Sequence, residues 1–245
     1  MKLFFITLLL FTAAACGSHV HAPAASNAVL ARSEWGRQTA HNEMGLKYLL
    51  YLPSDYDRQE RWPLIVSLHG ARLRGDNLDM LKQYGLAALL DKNVSISFVV
   101  VSPQCPEGTT WMEQEDPLLR LIDKISATYA VDRSRVYLTG HSMGGRATWF
   151  LASRHPEKFA AIVPLADGAG DLSWAPSLKR VPVWAFHGTR DDLASFEKTE
   201  QFVKALKAAG GDVKFTPLPD RDHFILDVYE NKEIYDWLLQ YKRKQ

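Results

Sequence analysis

Hydrophobic residues recur along the chain in short uninterrupted runs, and the segments between them have helical spacing. The runs predict strands at 46–52, 63–68, 98–102, 135–138, 159–165, 182–186 and 213–216. Apolar residues at a period of about 3.6 predict helices at 77–90, 117–129, 145–155, 195–209 and 225–241. Strands that alternate with helices imply crossover connections. We therefore expect one α/β domain, with a mostly parallel sheet and helices on both of its faces.

Length and composition allow a sizeable core and exclude some classes of partner. The chain has 245 residues, of which 47% are hydrophobic, and its formal net charge is +1. Such a balance argues against disorder and against electrostatic binding of nucleic acid. No Cys/His cluster has the spacing of metal ligands, and no glycine-rich phosphate loop occurs. We expect neither a metal nor a cofactor, and small neutral substrates remain open.

The first residues have the pattern of an export signal. Lys2 precedes an apolar run at 3–11, and small residues follow up to Ala15. Cys16 after three alanines resembles a lipobox and predicts a lipid anchor to the membrane, with ordinary cleavage and free secretion as the alternative. We expect a signal at 1–15, a tether at 16–28 and a folded domain at 29–245. Cys105 is then left without a partner and is predicted to be buried.

The segment 136–147 combines a strand, a sharp turn and the start of a helix. Its turn has the pattern Gly-x-Ser-x-Gly, with Ser142 between Gly140 and Gly144. Glycine at both positions permits the close backbone contacts that such a turn demands. The turn presents the serine hydroxyl at the N-terminus of the helix, where unpaired N–H groups favour an oxyanion. Ser142 is therefore predicted to be a nucleophile.

A nucleophilic serine needs a base, and the base needs an acid that orients it. In this topology the acid and the histidine follow the serine in the chain, on loops after later strands. Asp191, after the strand at 182–186, and His223, after the strand at 213–216, meet both conditions. Asp192 is the alternative acid, and the runners-up Asp167 and Asp171 lie in the preceding loop. We expect His187 and His141 to be structural.

The oxyanion that forms during acyl transfer needs two fixed N–H donors. The backbone of Met143, directly after the nucleophile, is one candidate. The other is expected in the loop after the strand at 63–68, where Gly70 allows close approach, and we nominate the backbone of Ala71.

Aromatic and basic side chains near these loops have two possible roles. Trp111 lies in a loop that contains glycine and proline, and we predict that it forms a wall of the substrate pocket. Trp149, on the helix after the nucleophile, is expected in the core. Arg72 and Arg74 are interpreted as solvated loop charges.

These motifs together resemble the α/β-hydrolase superfamily over residues 46–241. The resemblance is to its compact secreted members: dienelactone hydrolase, phospholipase/carboxylesterase, feruloyl esterase, polyhydroxybutyrate depolymerase and the predicted peptidases of prolyl-oligopeptidase type. The matching segments are Leu49-Leu50-Tyr51-Leu52-Pro53, Leu68-His69-Gly70, Arg74-Gly75-Asp76-Asn77, Pro103-Gln104-Cys105-Pro106, Gly140-His141-Ser142-Met143-Gly144-Gly145, Phe186-His187-Gly188 and Asp222-His223.

The resemblance implies a serine hydrolase that forms an acyl-serine intermediate. The segment 165–181 is too short for a helical cap, so an open site is expected that accepts short or aromatic acyl esters, including esters linked to polysaccharides. Leu73 stands where the most similar group has glutamate, and Leu193-Ala194-Ser195 replaces its Val-x-Pro. A peptidase or acyltransferase with the same triad is the first alternative, and a non-catalytic binding module is the second. The oligomeric state stays open.

Overall fold

The computed structural model describes residues 32–168 and 170–243. Within them, eight strands form one sheet: β1 (Gln38–Glu43), β2 (Leu46–Tyr51), β3 (Trp62–Leu68), β4 (Val99–Gln104), β5 (Val131–His141), β6 (Ala161–Leu165), β7 (Val183–Gly188) and β8 (Val213–Leu218). Six α-helices accompany them: α1 (Gly85–Asp91), α2 (Glu115–Thr128), α3 (Met143–Arg154), α4 (Ala175–Leu178), α5 (Phe196–Ala208) and α6 (Lys232–Leu239).

The order of strands in the sheet is β1-β2-β4-β3-β5-β6-β7-β8. The pairs β1/β2 and β2/β4 are antiparallel, and every pair from β4 to β8 is parallel. The predicted mostly parallel α/β architecture is thus confirmed. Because parallel strands end at the same edge, the loops after β3, β5, β7 and β8 meet there.

Two apolar layers cover the sheet, one on each face. On one face, α2, α3 and α5 pack against strand residues such as Val66 and Leu138. On the other face, α1 and α6 pack against residues such as Ile65 and Tyr137. Adjacent residues of one strand therefore lie in different layers, as the period of two along a strand requires. Both faces are buried, which explains why these strands are continuously apolar in sequence.

Three elements differ from the sequence prediction. Strand β1 was not predicted, because its sequence Gln-Thr-Ala-His-Asn-Glu is polar and its residues are largely exposed at the sheet edge. The helix expected at 77–90 is divided into a 3-10 turn (Leu78–Gln83) and α1, since Tyr84 is extended and Gly85 has φ +63°. The closing helix is likewise divided at Asn231, whose side chain accepts a hydrogen bond from the backbone N–H of Glu233 and so caps α6.

The connection between β6 and β7 carries only a 3-10 turn (Leu172–Trp174) and the four-residue α4 among its described residues. These residues form no helical cap over the sheet edge, as predicted. Within the described ranges no helix has both the length and the apolar character needed to cross a membrane. The predicted signal, Cys16 and the tether lie outside the described residues.

Candidate active site

The turn after β5 holds Ser142 in a backbone conformation that L-residues rarely adopt. Its φ is +57° and its ψ is −119°, and its N–H donates a 2.9 Å hydrogen bond to the carbonyl of Leu165. A Cβ on Gly140 would lie 2.4 Å from the Gly144 carbonyl oxygen, and a Cβ on Gly144 would lie 2.1 Å from that of Leu68. Glycine at both positions is therefore a steric requirement of the turn.

Hydrogen bonds join three distant side chains at this edge of the sheet. The Nε2 of His223 lies 2.8 Å from the Oγ of Ser142, and its Nδ1 lies 2.8 Å from Oδ2 of Asp191. The structure brings these three predicted residues together. The alternative acid Asp192 is exposed instead. Asp171 instead caps a 3-10 turn through the N–H of Ser173. Since Nδ1 donates to the carboxylate, Nε2 is free to accept the serine proton.

The fourth carboxylate considered from sequence, Asp167, is not one of the three side chains that these hydrogen bonds join. Asp167 is buried at the end of β6, and its Cβ lies close to Gly145. His223 itself is 5% exposed, so most of its imidazole is shielded from water.

Four hydrogen-bond donors surround the Asp191 carboxylate, whose side chain has no exposed area. The N–H groups of Leu193 and Ala194 donate to Oδ1 at 2.9 and 2.8 Å. His187 Nε2 lies 2.9 Å from Oδ2, beside His223. Burial by itself would raise the pKa of Asp191, but the hydrogen bonds from Ala194, His223 and Leu193 outweigh it and hold that pKa below its usual value. The carboxylate is thus ionised and fixed in direction.

His187 contacts the same carboxylate oxygen of Asp191 as His223 does. Its Nε2 also lies 3.1 Å from the carbonyl of Ala194, and its Nδ1 lies 2.9 Å from the hydroxyl of Thr199. Both neighbours of Nε2 are acceptors, so Nε2 carries the proton. Burial lowers the pKa of His187 and keeps the ring neutral. These contacts give His187 the structural role expected from sequence. The contact with Asp191 was missed, although the four-residue spacing in His-Gly-x-x-Asp is a signal for it.

His141 is the last residue of β5 and supports the loop that carries His223. Its Nε2 donates to the carbonyl of His223 at 2.7 Å, and the two rings are 4.8 Å apart. Burial lowers the pKa of His141 to about 4. The ring is therefore a neutral donor that positions the backbone of His223.

The loop after β3 approaches the serine closely. A Cβ on Gly70 would lie 3.4 Å from the Cβ of Ser142, and Ala71 begins a 3-10 turn directly after it. Ala71 and Ser142 line the same cavity. Met143 is the first residue of α3, where backbone N–H groups have no acceptor within the helix. Both predicted oxyanion donors thus belong to segments adjacent to the hydroxyl.

Buried side chains fix the conformation of that loop. His69 donates from Nδ1 to the carbonyl of Gly70 at 2.7 Å and accepts the N–H of Cys105 at Nε2, 2.9 Å away. Burial lowers the pKa of His69 to about 4, so this ring is also neutral. Arg74 donates to the carbonyls of Ala71 and Thr109, both at 3.1 Å. Arg74 is thus a structural support, not the solvated charge expected from sequence.

Trp111 does not form a wall of the cavity, and that prediction is wrong. The side chain is completely buried, and its Nε1 donates to the carbonyl of His69 at 2.9 Å. Its ring packs edge-on against the His69 imidazole, 5.0 Å away. A large apolar ring with one N–H reaches low free energy where that N–H finds a partner inside the core. Trp149 is buried in the core, as expected, and so is Cys105.

A cavity of about 480 Å³ begins at Ser142 and His223 and extends between the sheet and α1. Phe224 and Leu193 are exposed at its mouth. The guanidinium of Arg72 lies 5.7 Å from the centre of the Phe224 ring. Most of the lining is apolar, with contributions from Leu73, Leu81, Leu86, Ala87, Leu226 and Tyr229. Among the described residues no group of acidic, histidine or cysteine side chains could hold a metal ion.

The family of the chain follows from comparison with known proteins. Residues 40–212, more than half of the chain, match the family model Esterase, described as "Putative esterase". The chain belongs to this esterase family. A solved structure described as a thermostable esterase superposes with a TM-score of 0.72 at 28% identity, and the match covers 84% of this chain and 62% of that one. The resemblance to α/β-hydrolases and the expectation of a carboxylic ester hydrolase are thereby confirmed for this esterase domain.

Two curated relatives of the chain are esterases by name. The "Bifunctional acetylxylan esterase/xylanase XynS20E" of Neocallimastix patriciarum is 30% identical over 77% of this chain and 27% of its own length. The "Probable feruloyl esterase C" of Aspergillus niger is 27% identical over 66% of this chain and 63% of its own length. The chain therefore spans between about a quarter and two thirds of these relatives.

Proposed function

We propose that this esterase hydrolyses short or aromatic acyl esters through an acyl-serine intermediate. The observation that carries the proposal is the unbroken chain from the Ser142 hydroxyl through His223 to Asp191, with two contacts of 2.8 Å. A serine hydroxyl is a weak nucleophile until a neighbouring base accepts its proton. In this proposal His223 acts as that base, and Asp191 holds the required tautomer.

In the first half of the reaction, Ser142 Oγ attacks the ester carbonyl and its proton passes to His223 Nε2. The carbonyl oxygen becomes an oxyanion, for which the backbone N–H groups of Ala71 and Met143 are the proposed donors. The C–O bond of the ester then breaks, and His223 returns the proton to the leaving alcohol. In the second half, water repeats these steps on the acyl-serine and releases the acid.

The open edge of the sheet leaves room for an ester with a bulky alcohol group. The described residues of the β6–β7 connection place no helical cap over the cavity mouth, where Leu193 and Phe224 are exposed. Among the relatives, one is named for an ester of the polysaccharide xylan and another for the aromatic feruloyl group. We propose polysaccharide-linked esters as the substrates of this chain, and export of the protein on the pattern of residues 1–15.

The proposal is tested with Ser142→Ala in hydrolysis of p-nitrophenyl acetate and in labelling by a fluorophosphonate probe. We expect the variant to lose both the label and at least roughly a thousandfold in kcat/KM, since its nucleophile is absent. Ser153→Ala is the matched control, because that hydroxyl lies on the same helix and bonds to the carbonyl of Phe150. Equal labelling and turnover by wild type and Ser142→Ala would refute the proposal, and absence of both in wild type would favour a binding module.

A further inference from the structure

Two serines lie side by side on the strands at the floor of the cavity. Ser67 belongs to β3 and Ser102 to β4, and both line the cavity that begins at Ser142. These strands are parallel, and Ser67 and Ser102 directly follow the last paired residues, Val66 and Val101. Both side chains point to the face of the sheet that α1 covers, because they follow Ile65 and Val100 at the strand period of two.

The hydroxyl of Ser102 is buried without a partner. Its residue is 4% exposed, and among the described residues its Oγ has no hydrogen-bond partner. Thr139, opposite Ser67 in β5, differs because its hydroxyl bonds to the carbonyl of Val163 and to the Tyr229 hydroxyl. A buried polar group left without a hydrogen bond is costly, and it is commonly found where a ligand supplies the partner.

The distance from the nucleophile determines which part of a substrate reaches Ser102. Ser142 is three residues beyond Thr139, which corresponds to about 10 Å along the sheet. Ser102 is two strands away from β5, which adds about 10 Å across the sheet. An acetyl group bound to Ser142 is much too short for this separation. An acyl group with a benzene ring between its carbonyl and a terminal oxygen has a length of the same order as the separation between Ser142 and Ser102.

The walls between the two ends are suited to such a ring. Leu73, Leu81 and Ala87 form one apolar cluster at this side of the cavity, and Leu86 and Leu226 lie beside it. Apolar walls with a small number of placed polar groups are the usual construction of a selective ligand pocket. The lining therefore favours an apolar body with one polar group at its distal end.

We propose that Ser102, assisted by Ser67, hydrogen-bonds a distal hydroxyl of an aromatic acyl group and so determines the acid that this esterase prefers. This inference rests on the proposed function, since it assumes that the acyl group is transferred to Ser142. It assigns the cavity floor to the acid portion of the ester and the exposed mouth to the alcohol. Short hydroxy acids such as 3-hydroxybutyrate cannot reach Ser102 and are not selected by it.

The test compares esters that differ by one hydroxyl. kcat/KM is measured for methyl 4-hydroxycinnamate and methyl cinnamate, and for methyl 3-hydroxybutyrate and methyl butyrate. For wild type we expect a preference of about tenfold for the hydroxylated ester in the aromatic pair and less than twofold in the short pair. Ser102→Ala should reduce the aromatic preference to less than threefold, and Ser67→Ala should reduce it partly. Ser126→Ala, a buried serine on α2 at the opposite face, is the control that retains the wild-type ratio.

Two results would overturn the inference: no aromatic preference in wild type, or an unchanged ratio in Ser102→Ala, including an equal loss on both aromatic esters. The last result would make Ser102 merely structural. Failure of the proposed function is recognised separately, because then neither wild-type enzyme nor control hydrolyses any of the four esters or p-nitrophenyl acetate.

Discussion

Substitution of Gly144 by alanine tests the steric basis of the site. A Cβ at this position would lie 2.1 Å from the carbonyl oxygen and 2.6 Å from the carbonyl carbon of Leu68, and 2.9 Å from the oxygen of His69. Ordinary carbon–oxygen contacts begin at about 3.3 Å. The end of β3 and the start of α3 must therefore separate by about 1 Å. Both are backbone segments within a packed core, so neither can move alone.

The separation should affect stability and catalysis together. Insertion of a methyl group into a closely packed site costs about 1 to 3 kcal/mol of the free energy of unfolding. The loop after Leu68 includes Ala71, the proposed oxyanion donor, and a displacement of 1 Å at reacting groups lowers the rate on the order of a hundredfold. We expect Gly144→Ala to lose that factor in kcat/KM for p-nitrophenyl acetate even when it is folded.

Urea unfolding measures the stability loss, and kinetics normalised to the fraction labelled by a fluorophosphonate measure the catalytic loss. Gly210→Ala is the control, because a Cβ there has no atom within 4 Å although φ is +82°. It should lose about 1 kcal/mol of stability through backbone strain and keep the wild-type kcat/KM. The steric argument is refuted if Gly144→Ala retains both the stability and the kcat/KM of wild type.

Two further predictions concern charge. Asp191→Asn should lower kcat on the order of ten-thousandfold, because it favours the wrong tautomer of His223. Asp192→Asn should keep kcat within twofold of wild type in the same assay. Equal effects of the two substitutions would contradict the assignment of the acid. The lowered pKa values of about 4 for His69 and His141 mean that the unfolded chain binds more protons between about pH 6.5 and 4. Stability should thus fall as pH decreases through that range, by up to about 3 kcal/mol for each ring; urea midpoints that do not change between pH 7 and 4.5 would contradict this.

The architecture could be predicted because its signals are local. The strand predicted at 98–102 is buried on both faces and begins with four consecutive apolar residues, and Gly140 and Gly144 mark a turn that other residues cannot form. The meeting of Ser142, Asp191 and His223 then follows from the rule that parallel strands end at one edge. Strand β1 and the breaks in two helices could not be predicted, because an edge strand needs no apolar pattern and one extended residue can interrupt a helix.

The roles of individual side chains in the site were harder to predict from the sequence. Trp111 and Arg74 lie in loops, and their partners are backbone carbonyls of residues distant in sequence. Residue type does not report which carbonyl is within reach, so both were misassigned. Ser102 was not considered, since an apolar strand that ends in serine is unremarkable until the cavity next to it is known. Only the three-dimensional structure reveals that a polar side chain is buried without a hydrogen-bond partner.

Three neutral imidazoles hold the three parts of the site through single N–H donors. His69 donates to Gly70 in the loop of the proposed oxyanion donor, His141 donates to the backbone of the proposed base, and His187 donates to the proposed acid. Burial lowers the pKa of each ring, which favours its neutral form. A second proton on His69 would face the N–H of Cys105 and break that contact. These three imidazoles thus supply fixed geometry around His223, the proposed base.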